Sequence, residues 1–124
     1  MTDLETTVDT YLAAWSEPDA TRRATMIESA WAADGQLIDP PLAGKGHDGI
    51  SEMAATMQAH YPGHTFRRTS GIDTHHEHLR FSWELVGADG TVAVAGVDVG
   101  DITTDGRLQR ITGFFGDLPL LDAA

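Results

Sequence analysis

The spacing of apolar residues changes once along this chain, near His64, and that change limits the folds open to it. Before it the spacing is helical. Leu4, Val8, Tyr11, Leu12 and Trp15 fall on one face of an amphipathic helix, with Tyr11 inside the buried stripe. Ser16-Glu17-Pro18-Asp19 breaks that helix and caps a second, whose apolar face is Ala20, Ala24, Ile27, Ala30 and Trp31 and which Asp34-Gly35 is expected to stop. Gln36 to Pro41 reads as a short extended piece, because proline holds the residue before it extended, so Asp39 ends a strand or rides on a rigid loop. Ile50, Met53, Ala54, Met57 and Tyr61 mark a third helix, ended near Pro62-Gly63.

After His64 the period is two. Leu79, Phe81, Trp83 and Leu85 alternate with His78, Arg80, Ser82 and Glu84, and turns at Asp89-Gly90 and Asp105-Gly106 divide this half into three or four strands paired in chain order. Helices first and hairpin-linked strands second is an α+β order: three N-terminal helices cover one side of an antiparallel sheet. At 124 residues the chain is expected to be a single domain, 1–124, with one core.

The chain has no cysteine, which excludes disulfides and thiolate chemistry, and a formal net charge of −11, which repels phosphate backbones and anionic lipid. Nucleic acid and membranes are therefore not expected partners. The acidic start Met1-Thr2-Asp3-Leu4-Glu5 has neither a basic nor an apolar signal region, so a cytoplasmic protein is expected.

Within Ala95 to Asp101, Asp98 interrupts a run that otherwise reads as a buried strand. Alternation puts Gly96, Asp98 and Gly100 on one face and Ala95, Val97 and Val99 on the other. Two glycines beside a carboxylate leave space that a ligand or another chain segment fills; the alternative is that this face is the solvent side of a sheet edge. Both sets of alternating residues contain apolar side chains, so the sheet face away from the helices is expected to pair two copies as a homodimer.

The order of helix with Tyr11, second helix, Asp39-Pro40, Gly44-Lys45-Gly46, third helix, then Val97-Asp98-Val99, Asp105-Gly106-Arg107-Leu108 and Phe114-Phe115 resembles the ketosteroid-isomerase-like, or SnoaL-like, branch of the NTF2-like superfamily. The resemblance covers nearly the whole chain. It implies a cone of three helices on a strongly curved sheet around an apolar pocket, no cofactor, and proton transfer next to a carbonyl of an apolar small molecule. Residue by residue, it implies that Asp39 is the general base and that Tyr11 and a protonated Asp98 donate to the substrate oxyanion. Trp15, Trp31, Met53, Met57, Trp83 and Phe115 are the expected substrate-binding residues. The family's supporting tyrosines are absent, with Trp31 and Ala54 in their places. Polyketide cyclisation and non-catalytic small-molecule binding are the alternatives. Epoxide hydrolysis is disfavoured because Gly96 stands where that relative has arginine.

His75-His76-Glu77-His78 puts two histidines on one strand face but has no third ligand at a known spacing, so it is read as a solvated hairpin and no metal is expected. Arg67-Arg68 is read as local charge balance.

Overall fold

A computed structural model describes residues 3–122. The Asp3 carboxylate opens α1 (Leu4–Ala14) by accepting from the Glu5 amide, and Asp19 opens α2 (Ala20–Ala30) by accepting from the Thr21 amide. Each satisfies an amide that the first helical turn leaves without a partner.

α2 ends at Ala30, before the Asp34-Gly35 stop expected from sequence, and Trp31 opens β1 (Trp31–Ile38). The reason lies in the tryptophan. Trp31 is extended, at φ −115° and ψ 143°, and its indole occupies the space a side chain on Gly35 would need: a Cβ there would lie 2.5 Å from the ring. Gly35 is thus a hollow for Trp31, not a helix stop.

β2 (Ala43–Lys45) returns antiparallel to β1, and α3 (Gly46–His60) starts from Gly46 at φ +74°. The strands that follow are β3 (Thr65–Arg68), β4 (Asp73–His75), β5 (His78–Val86), β6 (Val92–Ile102) and β7 (Leu108–Phe115). These are five strands where three or four were expected, because two short ones divide the outer edge of β5, β3 against 83–86 and β4 against 78–80.

The sheet runs β2-β1-β7-β6-β5-β3, with β4 also on β5. It is open, and it is mixed where a purely antiparallel sheet was expected: β1 lies parallel to β7. A parallel pair cannot be closed by a tight turn, and most of the chain separates these two strands, so no local turn signal marks the pairing.

Both glycine-aspartate turns are hairpins, with Gly90 and Gly106 at φ +86° and +83°. They place β6 in the middle of the sheet. Its Gly96, Asp98 and Gly100 are buried while Val97 and Val99 are exposed, so the carboxylate faces the core and the valines face out. The solvent-edge reading of Asp98 therefore fails. The space beside it is not open either, because a Cβ on Gly96 would lie 2.6 Å from the Trp83 ring and one on Gly100 would meet the Arg110 backbone.

Gly96→Ala should cost roughly 1–3 kcal/mol of stability, as overpacking does, because the Phe114 carbonyl and the Trp83 indole leave no room for a methyl group. Urea denaturation measures it; an unchanged midpoint would mean that Trp83 moves aside without loss.

Candidate active site

Asp39 follows the end of β1, and its amide donates to the Leu42 carbonyl at 2.8 Å, closing a tight turn through Pro40 and Pro41. That turn sets the carboxylate into the wall of a cavity of about 430 Å³, lined mainly by apolar side chains: Trp15 from the end of α1, Met57 from α3, Phe66 from β3, Trp83 from β5 and Phe115 from β7. Tyr61 and Phe115 stand at its exposed rim. Asp39 Oδ1 is buried and has no hydrogen-bond partner. Burial raises the Asp39 pKa to about 6, with the Gly113 backbone acting the other way.

Asp98 lies deeper. Tyr11 donates to its Oδ2 at 2.9 Å, and the Trp83 indole N–H donates to its Oδ1 at 2.9 Å. Burial, and then the nearby Asp39 charge, raise the Asp98 pKa to about 7, against the lowering effect of the two hydrogen bonds. Burial also raises the Tyr11 pKa well above its ordinary value, and the Asp98 and Asp39 charges add to it. The two carboxylates converge over Gly113, which pairs with Asp98 across β6 and β7. A Cβ on that glycine would collide with Asp39 Oδ1 and sit 3.1 Å from Asp98 Oδ1.

The structure thus gathers Tyr11, Asp39 and Asp98 into one cluster, but only Asp39 lies on the cavity wall. Tyr11 and Asp98 are a layer behind it, 3% and 2% exposed. Of the expected substrate-binding residues, Trp15, Met57, Trp83 and Phe115 line the cavity and two do not. Trp31 is fully buried, edge-on to Tyr11 with ring centroids 5.4 Å apart, because it opens β1 beneath α1. Met53 is drawn toward β2, its sulfur 2.7 Å from where a Gly44 Cβ would be. Sequence reasoning missed the Trp83 N–H as a partner of Asp98, and it missed Gly113. Counting outward from the two hairpin turns finds both, since Trp83 pairs with Gly96 and Asp98 with Gly113.

The histidine cluster lies apart, at the β4–β5 turn. His75 and His76 bring their Nδ1 atoms within 3.0 Å, and His78 pairs with Asp101 at 2.6 Å. Among the described residues no three potential ligands are arranged to hold a metal ion, and no helix is long and apolar enough to cross a membrane. Arg67 pairs with Glu84, and Arg68 with Glu5 and Asp9.

Three helices on a mixed sheet, with an acid set into an apolar cavity between them, define the NTF2-like cone of the ketosteroid-isomerase-like proteins. A SnoaL-like protein from Agrobacterium tumefaciens str. C58, described as a candidate isomerase, matches with a TM-score of 0.85 at 37% identity, over 94% of this chain and 100% of that one. A protein with a ketosteroid-isomerase-like fold from Catenulispora acidiphila DSM 44928, solved with trimethylamine, matches at 0.68 and 17% identity, over 89% and 85%. A candidate polyketide cyclase from Sinorhizobium meliloti matches at 0.68 and 16%, over 87% and 93%. No family model and no curated protein matches the chain. The chain belongs to the SnoaL-like family.

The pKa of Asp98 makes stability depend on pH. The folded protein holds this proton more tightly than the unfolded chain, whose carboxylates titrate near 4. The resulting penalty is absent below pH 4, grows as pH rises and is complete above about 7. Asp98→Asn keeps an acceptor for Trp83 and removes the ionisation. It should therefore be more stable than the parent at pH 8, by on the order of 4 kcal/mol, and gain nothing at pH 4. Thermal unfolding at the two pH values checks this; an equal gain at both would mean that Asp98 does not titrate in the folded protein.

Proposed function

We propose that this protein is a ketosteroid-isomerase-like enzyme that moves a proton next to a carbonyl of an apolar small molecule, with Asp39 as the base. One observation carries the reading: Asp39 lies on the wall of an apolar cavity, and its carboxyl group has a buried oxygen, Oδ1, without a hydrogen-bond partner. A carboxylate with a pKa near 6 is more basic than one in water and still ionised at neutral pH. The apolar wall favours a substrate that is mostly hydrocarbon, and no lysine or arginine lines it to hold an anion.

In this reaction the C–H bond next to the carbonyl breaks, its proton passes to Asp39 and its electron pair moves to the carbonyl oxygen, giving an enolate. Asp39 then returns the proton to another carbon. The Tyr11–Asp98 pair stabilises the oxyanion. The description of the Agrobacterium relative as a candidate isomerase supports this over cyclisation, in which the same enolate would attack a second carbonyl. The candidate cyclase from Sinorhizobium is the more distant at 16% identity, against 37%.

Activity needs Asp39 ionised and Asp98 neutral, so its pH profile should be a narrow bell between limbs near 6 and 7 that belong to the coupled pair. Hydrogen exchange next to the carbonyl of 2-tetralone in heavy water, followed by NMR, measures it. Asp39→Asn should slow exchange by roughly 10²–10⁴-fold while sparing the affinity for 2-naphthol. If the parent binds 2-naphthol yet exchanges no hydrogen, the protein is a binder and not an enzyme.

We further propose that the outer face of β6 and β7 pairs two copies. Val97, Val99 and Phe114 are exposed there, Phe114 by 59%, and Val97 lies beside Phe114. Sedimentation at micromolar concentration should give a dimer, and Val99→Asp should yield monomers with the cavity intact. A monomeric parent would end this proposal.

A further inference from the structure

We propose that His60 determines specificity at the mouth of the cavity, where its Nε2 accepts a hydrogen bond from a hydroxyl at the outer end of the ligand. The substrate class is then an apolar ketone that carries a hydroxyl at the end remote from its reacting carbonyl. The substrate half of this inference rests on the proton-transfer reading above; the binding preference does not.

The polar side chains along the cavity fall into two groups that differ in depth. Trp15, Asp39 and Trp83 form the inner group, with Asp39 half-buried and both tryptophans buried. Thr56, His60 and Tyr61 form the outer group; all three are exposed and come from the last turns of α3 and the residue after it. Helical spacing explains the grouping. Thr56 and His60 are four residues apart, as are Met57 and Tyr61, so the turn that sends Met57 into the cavity also brings His60 and Tyr61 to its mouth. The rest of the lining is almost wholly apolar, so a ligand that fills it has a hydrocarbon body and finds hydrogen bonds only at its ends.

One hydrogen bond sets the chemistry of the mouth. His60 Nδ1 lies 2.9 Å from the Thr56 carbonyl oxygen. A carbonyl can only accept, so Nδ1 carries the hydrogen, and in the neutral ring Nε2 is left as a bare acceptor. Among the described residues no group donates to that nitrogen. A ligand hydroxyl can do so, whereas a ligand carbonyl or ether cannot. Beside it the Tyr61 ring is braced edge-on by His64, with centroids 5.5 Å apart. Because His60 is exposed, its bond to a ligand replaces one to water and yields a modest gain.

The test compares three ligands by fluorescence titration at pH 8, where an ordinary imidazole is neutral. They are 2-naphthol, 2,6-dihydroxynaphthalene, which adds a hydroxyl at the far end, and 6-methoxy-2-naphthol, which keeps that oxygen without its hydrogen. The dihydroxy compound should bind roughly five- to twentyfold more tightly than 2-naphthol, about twofold of it because its hydroxyls are equivalent and the rest from one net hydrogen bond. The methoxy compound should gain nothing. His60→Phe should cut the preference to the statistical twofold and leave the affinity for 2-naphthol unchanged. The inference falls if the parent binds none of the three, if its preference is only statistical, or if the preference survives in His60→Phe. It falls too if the methoxy compound gains as much, which would put a hydroxyl donor, Thr56 or Tyr61, at the contact instead. Should His60→Phe not fold, the Nε2 nitrogen signal of His60 in the parent decides: it should move with the dihydroxy compound and stay in place with 2-naphthol. In the exchange assay 6-hydroxy-2-tetralone should show a lower KM than 2-tetralone at similar kcat, since the bond at the mouth is the same in ground and transition states. An equal KM would end the substrate half. A parent that exchanges neither ketone fails as an enzyme, and the three affinities still decide the role of His60.

Discussion

The structure depends on one carboxyl group that sits where a hydrocarbon would be expected. Asp98 is 2% exposed in the central part of the sheet, and taking an ionised carboxylate out of water costs far more than one hydrogen bond returns. Two changes make the position tolerable. Both oxygens are engaged, by Tyr11 and by Trp83, and the pKa rises so that much of the population near neutral pH carries no charge. Each change restricts another part of the fold: Tyr11 fixes the rotation of α1 over the sheet, and Trp83 fixes the face of β5.

Glycines accompany this group wherever neighbouring strands pass it. Gly96 makes room for the indole that reaches Asp98, Gly100 for the Arg110 backbone, and Gly113 for the approach of Asp39. Each position forbids a side chain for a different neighbour, so the hollows are where the core yields to polar groups. The valines between them face outward, which leaves the sheet's other face apolar. Burial of the carboxylate and the outer patch that we propose as a dimer surface are therefore two results of the same alternation.

The legible parts of the sequence were those governed by local rules. Helical spacing gave α1 and most of α2 and α3, Asp19 was readable as a cap, and the two Asp-Gly turns gave the β5–β6–β7 meander. The parallel pairing of β1 with β7 was not readable, since it depends on contacts between distant segments. Trp31 misled because it continues the spacing of α2 while its bulk and the Gly35 hollow favour a strand. The resemblance pointed to Tyr11, Asp39 and Asp98, which the structure brings together, yet it did not order them in depth. Depth follows from how many groups compete for the same space, and motif spacing carries no information about that. Trp83 shows the gap most clearly. Alternation put it on the inward face as one more wall residue, and only the register with Gly96 shows its N–H reaching a carboxylate.

Two carboxyl groups converge over one glycine, and their surroundings give them different proton affinities. Asp39 is on the cavity wall with one oxygen unpartnered, and its pKa near 6 leaves it ionised at neutral pH. Asp98 is deeper, has both oxygens engaged and holds its proton to about 7, in part because Asp39 is charged first. The order in which they ionise follows first from depth: the shallower group loses less solvation and gives up its proton sooner, and its charge then helps to keep the deeper one neutral. When Asp39 takes a proton, that repulsion relaxes and the pull on the Asp98 proton weakens, so each step at the wall is felt at the phenol behind it. Two different proton affinities thus arise from identical side chains, separated by one layer of packing.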